Sequence, residues 1–265
     1  MATLDRRMLS HTDIGAAGRL PPRLIVHGLF GSARNWGAIA KRLSDDRRVV
    51  SVDMRNHGSS FRAESQSYPD MAGDLAEVIE TLGAPMDVLG HSMGGKAAMQ
   101  LALTHGELID RLVVADIAPV AYGHSQSHLV RAMRGLDLRD LSARSEADRR
   151  LAAAVGDAGV RAFLLQSLDL KADTPVWRLN LDVLEREMDR ITGWPGTEGR
   201  FEGPALFLAG ALSDYVRPEH RERIKHLFPN AKFARIPGAG HWLHAERPRE
   251  FEAALRTFLE RPSGG

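Results

Sequence analysis

Short apolar runs alternate with amphipathic stretches along this chain from residue 23 onward. Continuous apolar runs bounded by turn residues are typical of strands buried on both faces, whereas apolar positions three and four apart are typical of helices. The apolar runs predict strands near residues 24–27, 48–53, 86–90, 111–117, 205–210 and 231–236. The amphipathic stretches predict helices at about residues 35–43, 68–82, 92–104, 218–227 and 247–259. This alternation indicates an α/β fold with a mostly parallel sheet flanked by helices, and the residues before 23 are expected to add one or two antiparallel edge strands.

The alternation breaks between Pro119 and Pro204, where Arg, Asp, Leu and Ala recur with helical spacing and no clear strand is evident. We therefore expect an all-helical insertion, residues 119–204, after the strand that ends near Ile117, in a core formed by residues 1–118 and 205–265. Open parallel sheets bind ligands outside the carboxyl ends of their strands, so this insertion is a candidate lid over such a site. An extension that only thickens the domain remains the alternative.

Composition narrows the functional classes. With 265 residues, 43% of them hydrophobic, the chain can bury a sizeable core. The formal charge of +1 provides no electrostatic reason to expect nucleic acid or an anionic membrane as a partner. Cysteine is absent, which excludes a disulfide framework, a thiol nucleophile and a zinc–thiolate site. Residues 1–14 lack the apolar core of a signal peptide, and no run approaches the ~18 apolar residues of a membrane span. A cytoplasmic location is therefore expected. Residues 262–265 are expected to form a frayed tail.

The segment Val88-Leu-Gly-His-Ser-Met-Gly-Gly combines the end of a buried strand, a G-x-S-x-G pattern and small residues that can open a helix. Gly90 and Gly94 suit a sharp strand-to-helix turn, because larger side chains would not fit around its strained middle residue, Ser92. Such a turn holds the serine hydroxyl clear of the sheet, beside the N–H groups at the start of the new helix. A bare G-x-S-x-G also occurs in ordinary turns, but the flanking strand and helix predict that Ser92 is a nucleophile.

A serine hydroxyl needs a base to act as a nucleophile at neutral pH. Among the 11 histidines, His241 is the candidate, because its loop, Pro237-Gly-Ala-Gly-His-Trp, follows the last predicted strand and its glycines allow a return over the sheet edge. His241 also comes after the serine in the chain, as expected for this architecture. A surface-loop histidine is the alternative interpretation of His241, and His244 is expected to cap or pack against the terminal helix.

The third partner must be a carboxylate that orients the imidazole and stabilises its charged form. Asp116 ends a predicted strand, which would place its carboxylate at the active edge of the sheet beside the insertion. Asp214 lies in the loop after the next strand, where many hydrolases carry their acid, but it stands one residue later than the usual position, which Ser213 occupies. Asp116 is therefore favoured, Asp214 remains an alternative, and Ser213 is a candidate supporting hydrogen-bond donor in either case.

Acyl transfer also needs N–H donors for the oxyanion that develops on the substrate. The first predicted strand is followed by His27-Gly-Leu-Phe-Gly-Ser, a pattern that can turn a backbone N–H inward. The N–H groups of Leu29 and Met93 are therefore the predicted oxyanion hole.

A second polar loop, residues 53–59, lies at the same predicted edge of the sheet. Its Asp53, Arg55 and His57 side chains are interpreted as supports for the loop backbone. No catalytic role is assigned to them.

At these motifs the chain resembles the α/β-hydrolase superfamily over nearly its whole length, and within it the small bacterial esterases of the YbfF type and the ABHD11-like hydrolases. The similarity is carried by His27-Gly-Leu-Phe-Gly-Ser, Asp53-Met-Arg-Asn-His-Gly-Ser, Gly90-His-Ser-Met-Gly-Gly-Lys, Asp116-Ile-Ala-Pro and Gly238-Ala-Gly-His-Trp. The resemblance implies an α/β-hydrolase fold and a serine esterase with a helical cap that acts on acyl esters, with thioesters as a further class. It also favours Asp116, because these relatives resemble one another in a carboxylate at that strand end and a serine where other hydrolases carry their acid.

Together these residues predict a serine hydrolase that cleaves carboxylic esters of small acyl substrates through a Ser92, His241 and Asp116 triad and an acyl-enzyme, with no metal or organic cofactor. An acyl-CoA thioesterase and a C–C bond hydrolase on the same triad remain alternatives, as does a ligand-binding protein that kept the fold and lost turnover. A haloalkane dehalogenase is disfavoured, since its nucleophile is a carboxylate. The natural substrate, its acyl-chain length and the oligomeric state are left open.

Overall fold

The computed structural model describes residues 8–18, 20–83 and 85–260. Its strands are β1 (His11–Ile14), β2 (Arg23–Val26), β3 (Val49–Val52), β4 (Met86–His91), β5 (Ile109–Ala115), β6 (Leu168–Asp169), β7 (Val176–Trp177), β8 (Ala205–Gly210) and β9 (Ala231–Ile236). Seven of them form one sheet in the order β1-β3-β2-β4-β5-β8-β9, in which β1 is antiparallel to β3 and the other neighbours are parallel. Every predicted strand is present, and β1 is the antiparallel edge strand expected before residue 23. The predictions made for residues 1–7 and 262–265 lie outside the described residues.

Helices cover both faces of this sheet. They are α1 (Gly37–Leu43), α2 (Tyr68–Leu82), α3 (Met93–Thr104), α4 (Ser127–Arg134), α5 (Arg144–Leu151), α6 (Ala158–Leu164), α7 (Leu181–Arg186), α8 (Met188–Thr192), α9 (Arg221–Leu227), α10 (Leu243–Glu246) and α11 (Pro248–Leu259). One apolar cluster joins the sheet to α2, α3 and α9, and a second joins its other face to α1 and α11. The central strands are therefore buried on both sides, which explains why their sequences are continuously apolar. Within the described part of the chain, no helix has both the length and the apolarity needed to cross a bilayer.

Residues 119–204, called the cap segment below, run between β5 and β8 and contain α4 to α8. The prediction that this segment contains no strand is wrong, because β6 and β7 form a small antiparallel pair within it. Two-residue strands are too short to produce a recognisable alternation of apolar and polar positions. They are held by tertiary contacts instead: the Trp177 indole N–H, for example, donates to the carbonyl of Met133, 2.9 Å away.

The cap segment is joined to the core at the residue 53–59 loop. His57 and Leu179 form an isolated antiparallel bridge, and the backbone N–H of Asn180 donates to the carbonyl of Asn56 over 2.9 Å. The Asn180 side-chain amide also donates to Asn56 Oδ1 over 3.0 Å. These contacts attach the cap segment next to the carboxyl ends of β2 and β3.

Candidate active site

Ser92 occupies a strained turn between β4 and α3. Its φ and ψ angles are 52° and −120°, a conformation that few residues with a side chain adopt. The flanking glycines permit this turn, because a Cβ on Gly90 would lie 2.3 Å from the carbonyl oxygen of Gly94, and one on Gly94 would lie 2.4 Å from that of His27. The turn is anchored by the Ser92 N–H, which donates to the carbonyl of Ala115 on the neighbouring strand over 3.0 Å. The sequence therefore specifies a backbone that projects the Ser92 side chain from the sheet edge.

His241 lies in the loop after β9, and the structure brings its ring to Ser92. The His241 Nε2 and Ser92 Oγ atoms are 3.1 Å apart, and Nδ1 is 2.7 Å from Asp116 Oδ2. With a proton on Nδ1 donated to the carboxylate, Nε2 is free to accept the hydrogen of the serine hydroxyl. This arrangement is the one expected for a nucleophile, its base and the group that orients the base.

Asp116 is fully buried and surrounded by donors. Its Oδ1 accepts the Gly210 N–H at 3.0 Å, and its Oδ2 accepts the Ser213 hydroxyl at 2.5 Å as well as the His241 ring. The residue has a φ of 52°, which ends β5 at Ala115, two residues earlier than predicted. Three donors therefore surround this one buried carboxylate and fix its position beside the imidazole.

The alternative acid, Asp214, is not brought to the imidazole. Its side chain is exposed and lines a separate surface groove with Arg217 and Pro218. Among the described residues, Asp116 is the carboxylate bonded to His241. Ser213, the residue before Asp214, is buried, and its hydroxyl donates a hydrogen bond to Asp116.

The two predicted oxyanion donors belong to segments next to Ser92: Met93 follows it directly, and a Cβ on Gly28, the residue before Leu29, would lie 3.1 Å from the Ser92 Cβ. Residues 28–31 form a tight turn closed by a 3.0 Å bond from the Gly31 N–H to the Gly28 carbonyl, which also accepts the His27 Nδ1 proton at 2.7 Å. The Gly28 carbonyl and the Leu29 N–H belong to the same peptide group and point in opposite directions, so the Leu29 N–H points away from the donors that hold the Gly28 carbonyl. Among the described residues, the Leu29 N–H has no hydrogen-bond acceptor. Met93 is the first residue of α3, whose opening N–H groups have no acceptor within the helix.

The residue 53–59 loop has the supporting role expected for it. Asp53 Oδ1 and Oδ2 accept the backbone N–H groups of Ala33 and Ser59 at 2.7 and 2.8 Å. The His57 Nε2 accepts the N–H of Phe30 at 3.2 Å, and Arg55 instead forms an ion pair with Asp74. Asp53 and His57 thus hold backbone groups of the segment that follows β2.

Histidines next to the site have packing roles. His244 stacks on Trp36, with ring centroids 4.1 Å apart, and burial lowers its pKa to about 3. The His91 ring donates to the carbonyl of His241 over 2.9 Å, and burial lowers its pKa well below the usual value. His91, which precedes the serine in the motif, was missed as a support for the His241 loop. Tyr215, which stacks on the His241 ring at 4.0 Å, was also missed, and no sequence pattern signals it.

Ser92 and His241 open into a cavity of about 470 Å³ between the core and the cap segment. Its walls are mainly apolar and aromatic, and the core and the cap segment both contribute to them. The apolar lining includes Leu29, Trp36, Ile117, Leu129, Val155, Val160, Phe163, Ile191 and Trp242. A cavity of this size and character suits an apolar acyl group of moderate length. In the described residues there is no cluster of three or more His, Asp or Glu side chains that could hold a metal ion.

Lys96 lines the same cavity and has no role in the predicted chemistry. Its Nζ donates to the carbonyls of Thr192 and Gly193, at the end of α8, and lies 4.8 Å from the centre of the Tyr122 ring. Burial lowers the pKa of Lys96 to about 7. The residue therefore links α3, which begins beside Ser92, to the cap segment through a cation held in an apolar setting.

We expect the stability contributed by Lys96 to depend on pH. The unfolded chain keeps the ordinary lysine pKa of about 10.4, so between pH 7 and about 10 it binds more protons than the folded state, and folding becomes more favourable as the pH rises. Relative to Lys96→Met, the wild-type free energy of unfolding should rise by about 3 kcal/mol between pH 7 and pH 9.5. Urea denaturation at both pH values measures this. Lys41→Met, at an exposed position of α1, is the control, and a Lys96→Met difference that does not vary with pH would contradict the prediction.

Comparison with known proteins places this geometry in a family. A family model described as alpha/beta hydrolase fold matches residues 21–248. The chain is 40% identical to sn-1-specific diacylglycerol lipase ABHD11 of Mus musculus over 260 residues, which cover 95% of this chain and 85% of that protein. It is 39% identical to Esterase YbfF of Escherichia coli over 241 residues, covering 90% and 92% of the two chains. A solved marine microorganism esterase shares 37% identity and a TM-score of 0.91, covering 96% of this chain and 100% of that one. The chain therefore belongs to the α/β-hydrolase family.

Proposed function

We propose that this protein is a serine hydrolase of the carboxylesterase type, which cleaves carboxylic esters of small acyl substrates. The observation that carries the proposal is the continuous chain of contacts from Ser92 Oγ to His241 Nε2 and from His241 Nδ1 to Asp116, at the wall of an apolar cavity. The names of the mouse lipase, the bacterial esterase and the marine esterase agree with this activity.

In the proposed reaction, His241 removes the proton of the Ser92 hydroxyl as the serine oxygen attacks the ester carbonyl. The N–H groups of Leu29 and Met93 stabilise the negative charge on the carbonyl oxygen, and Asp116 stabilises the imidazolium. His241 then protonates the departing alcohol and leaves an acyl group on Ser92. A water molecule, deprotonated by His241, releases the acid and restores the serine. Apart from the substrate and this water molecule, the proposed steps use only side chains and backbone groups of the chain.

We propose further that the core of residues 1–118 and 205–265 carries this chemistry, and that the cap segment determines which acyl groups fit. The support is that Leu129, Val155, Val160, Phe163 and Ile191, all in the cap segment, line the cavity that contains Ser92.

The test is a series of p-nitrophenyl esters of increasing acyl length, together with labelling by a fluorophosphonate probe. We expect turnover of the shorter esters, a decline once the acyl chain exceeds the cavity, and covalent labelling of Ser92. Matched thioesters and diketones, assayed in parallel, distinguish the thioesterase and C–C hydrolase alternatives by their rates. Tight binding of a small ligand with no product, and no labelling, would instead indicate a binding protein and overturn the proposal.

A further inference from the structure

The turn that carries Leu29 contains a residue in an unfavourable backbone conformation. Phe30 is the third residue of the turn formed by residues 28–31 and has a φ of 63°. Positive φ at this position is usual for Gly or Asn, and it costs a residue with a Cβ atom about 1 kcal/mol or more. The turn therefore needs contacts from outside itself to keep this shape.

Two buried side chains hold Phe30 from opposite ends of the residue. The His57 Nε2 accepts the Phe30 N–H at 3.2 Å, while the Ser167 hydroxyl donates to the Phe30 carbonyl at 2.8 Å. His57 is committed to this role, since its Nδ1 proton is donated to the Arg55 carbonyl over 2.9 Å, which leaves Nε2 as an acceptor. Both flanking peptide groups of Phe30 are therefore bonded to side chains.

The cap segment supplies or supports both of these contacts. Ser167 belongs to the cap segment, and its own carbonyl accepts the Arg178 N–H at 2.8 Å. His57 belongs to the core, but its backbone is bridged to Leu179 of the cap segment. A further contact joins Gln166 to Asn35, five residues after Phe30. The cap segment therefore contacts the turn of residues 28–31 both directly and through the loop that carries His57.

We propose that the docked cap segment holds the oxyanion hole in its working shape, with Ser167 and His57 as positioning residues that clamp Phe30. The inference rests on the proposed function, because it assigns the Leu29 N–H to the oxyanion. When the cap segment is displaced, Ser167 no longer holds the Phe30 carbonyl, and the turn relaxes toward shapes that a non-glycine residue prefers. The Leu29 N–H, one residue away in the same turn, then loses its alignment with the substrate carbonyl. Substrate enclosure and transition-state stabilisation are thus coupled in one structural element.

The first test compares Ser167→Ala with Thr197→Ala. Thr197 also donates its hydroxyl from the cap segment to the core, but to Gln100 Oε1 of α3, at 2.5 Å, and not to the turn, so its variant controls for loss of a cap contact. We expect Ser167→Ala to lower kcat about tenfold with KM within about twofold, because the lost alignment matters in the transition state. The inhibition constant of a trifluoromethyl ketone, whose adduct resembles the tetrahedral intermediate, should rise by the same factor. Ser167→Thr keeps the hydroxyl and should restore both values.

The second test does not depend on activity. Amide hydrogen exchange of a peptide containing residues 28–31 should be at least fivefold faster in Ser167→Ala than in the wild type, whereas a peptide covering β8 should be unchanged. If Ser167→Ala matches Thr197→Ala in kcat, in inhibitor affinity and in exchange, the clamp is refuted. If the wild type has no esterase activity, the proposed function fails, and the exchange comparison alone decides whether Ser167 holds the turn.

Discussion

Replacement of Ser92 by alanine is expected to lower ester turnover by about 10⁶-fold, which leaves only the acceleration due to binding and the oxyanion hole. In the proposed reaction Ser92 supplies the oxygen that forms the acyl-enzyme, and no other hydroxyl among the described residues forms a hydrogen bond with His241. The measurement is kcat for a short p-nitrophenyl ester, together with loss of fluorophosphonate labelling.

Ser59→Ala is the matched control, because Ser59 is exposed in the residue 53–59 loop and is bonded through its backbone N–H. Its activity should equal that of the wild type. Thermal denaturation should give similar midpoints for all three proteins, because alanine keeps the Cβ atom and leaves the backbone strain of the turn unchanged. Full activity in Ser92→Ala would exclude the proposed acyl-enzyme.

Replacement of Asp116 by asparagine is expected to lower kcat by about 10⁴-fold. The asparagine amide can present its NH₂ group to the ring, which favours the tautomer with the proton on Nε2 and leaves His241 unable to accept the Ser92 proton. Because asparagine is nearly the same size as aspartate, the contact with the Gly210 N–H can be retained through the amide oxygen, so the fold should survive. A pH–rate profile of kcat for both proteins completes the measurement.

Asp214→Asn is the direct comparison, since it makes the same Asp→Asn substitution at the alternative acid. Asp214 is exposed, as is Leu212, two positions before it in the chain. We expect its kcat to stay within about twofold of the wild-type value, because its carboxylate lies in a separate groove. The opposite result, with Asp214→Asn inactive and Asp116→Asn active, would transfer the role of the acid to Asp214 while leaving the fold intact.

Much of the architecture is encoded locally. The strands of a sheet covered on both faces must be apolar throughout, so the sequence by itself predicted each of the central strands. The motif around Ser92 was equally informative, because Gly90 and Gly94 have no room for a Cβ and the residue between strand and helix must adopt a positive φ. Family membership follows from the same motifs and is confirmed by the comparisons.

The sequence by itself thus determined the order of the strands in the large sheet, the order of the helices between them and the position of the strained serine, because each depends on residues adjacent in sequence. Only the tertiary structure decided which carboxylate meets His241, since Asp116 is 125 residues away from it, and local pattern had left Asp214 open. It also decided the β6–β7 pair and the contact between Ser167 and Phe30, which are 137 residues apart. Such contacts depend on how two distant segments are oriented in the folded chain, and no periodicity within either segment records that orientation.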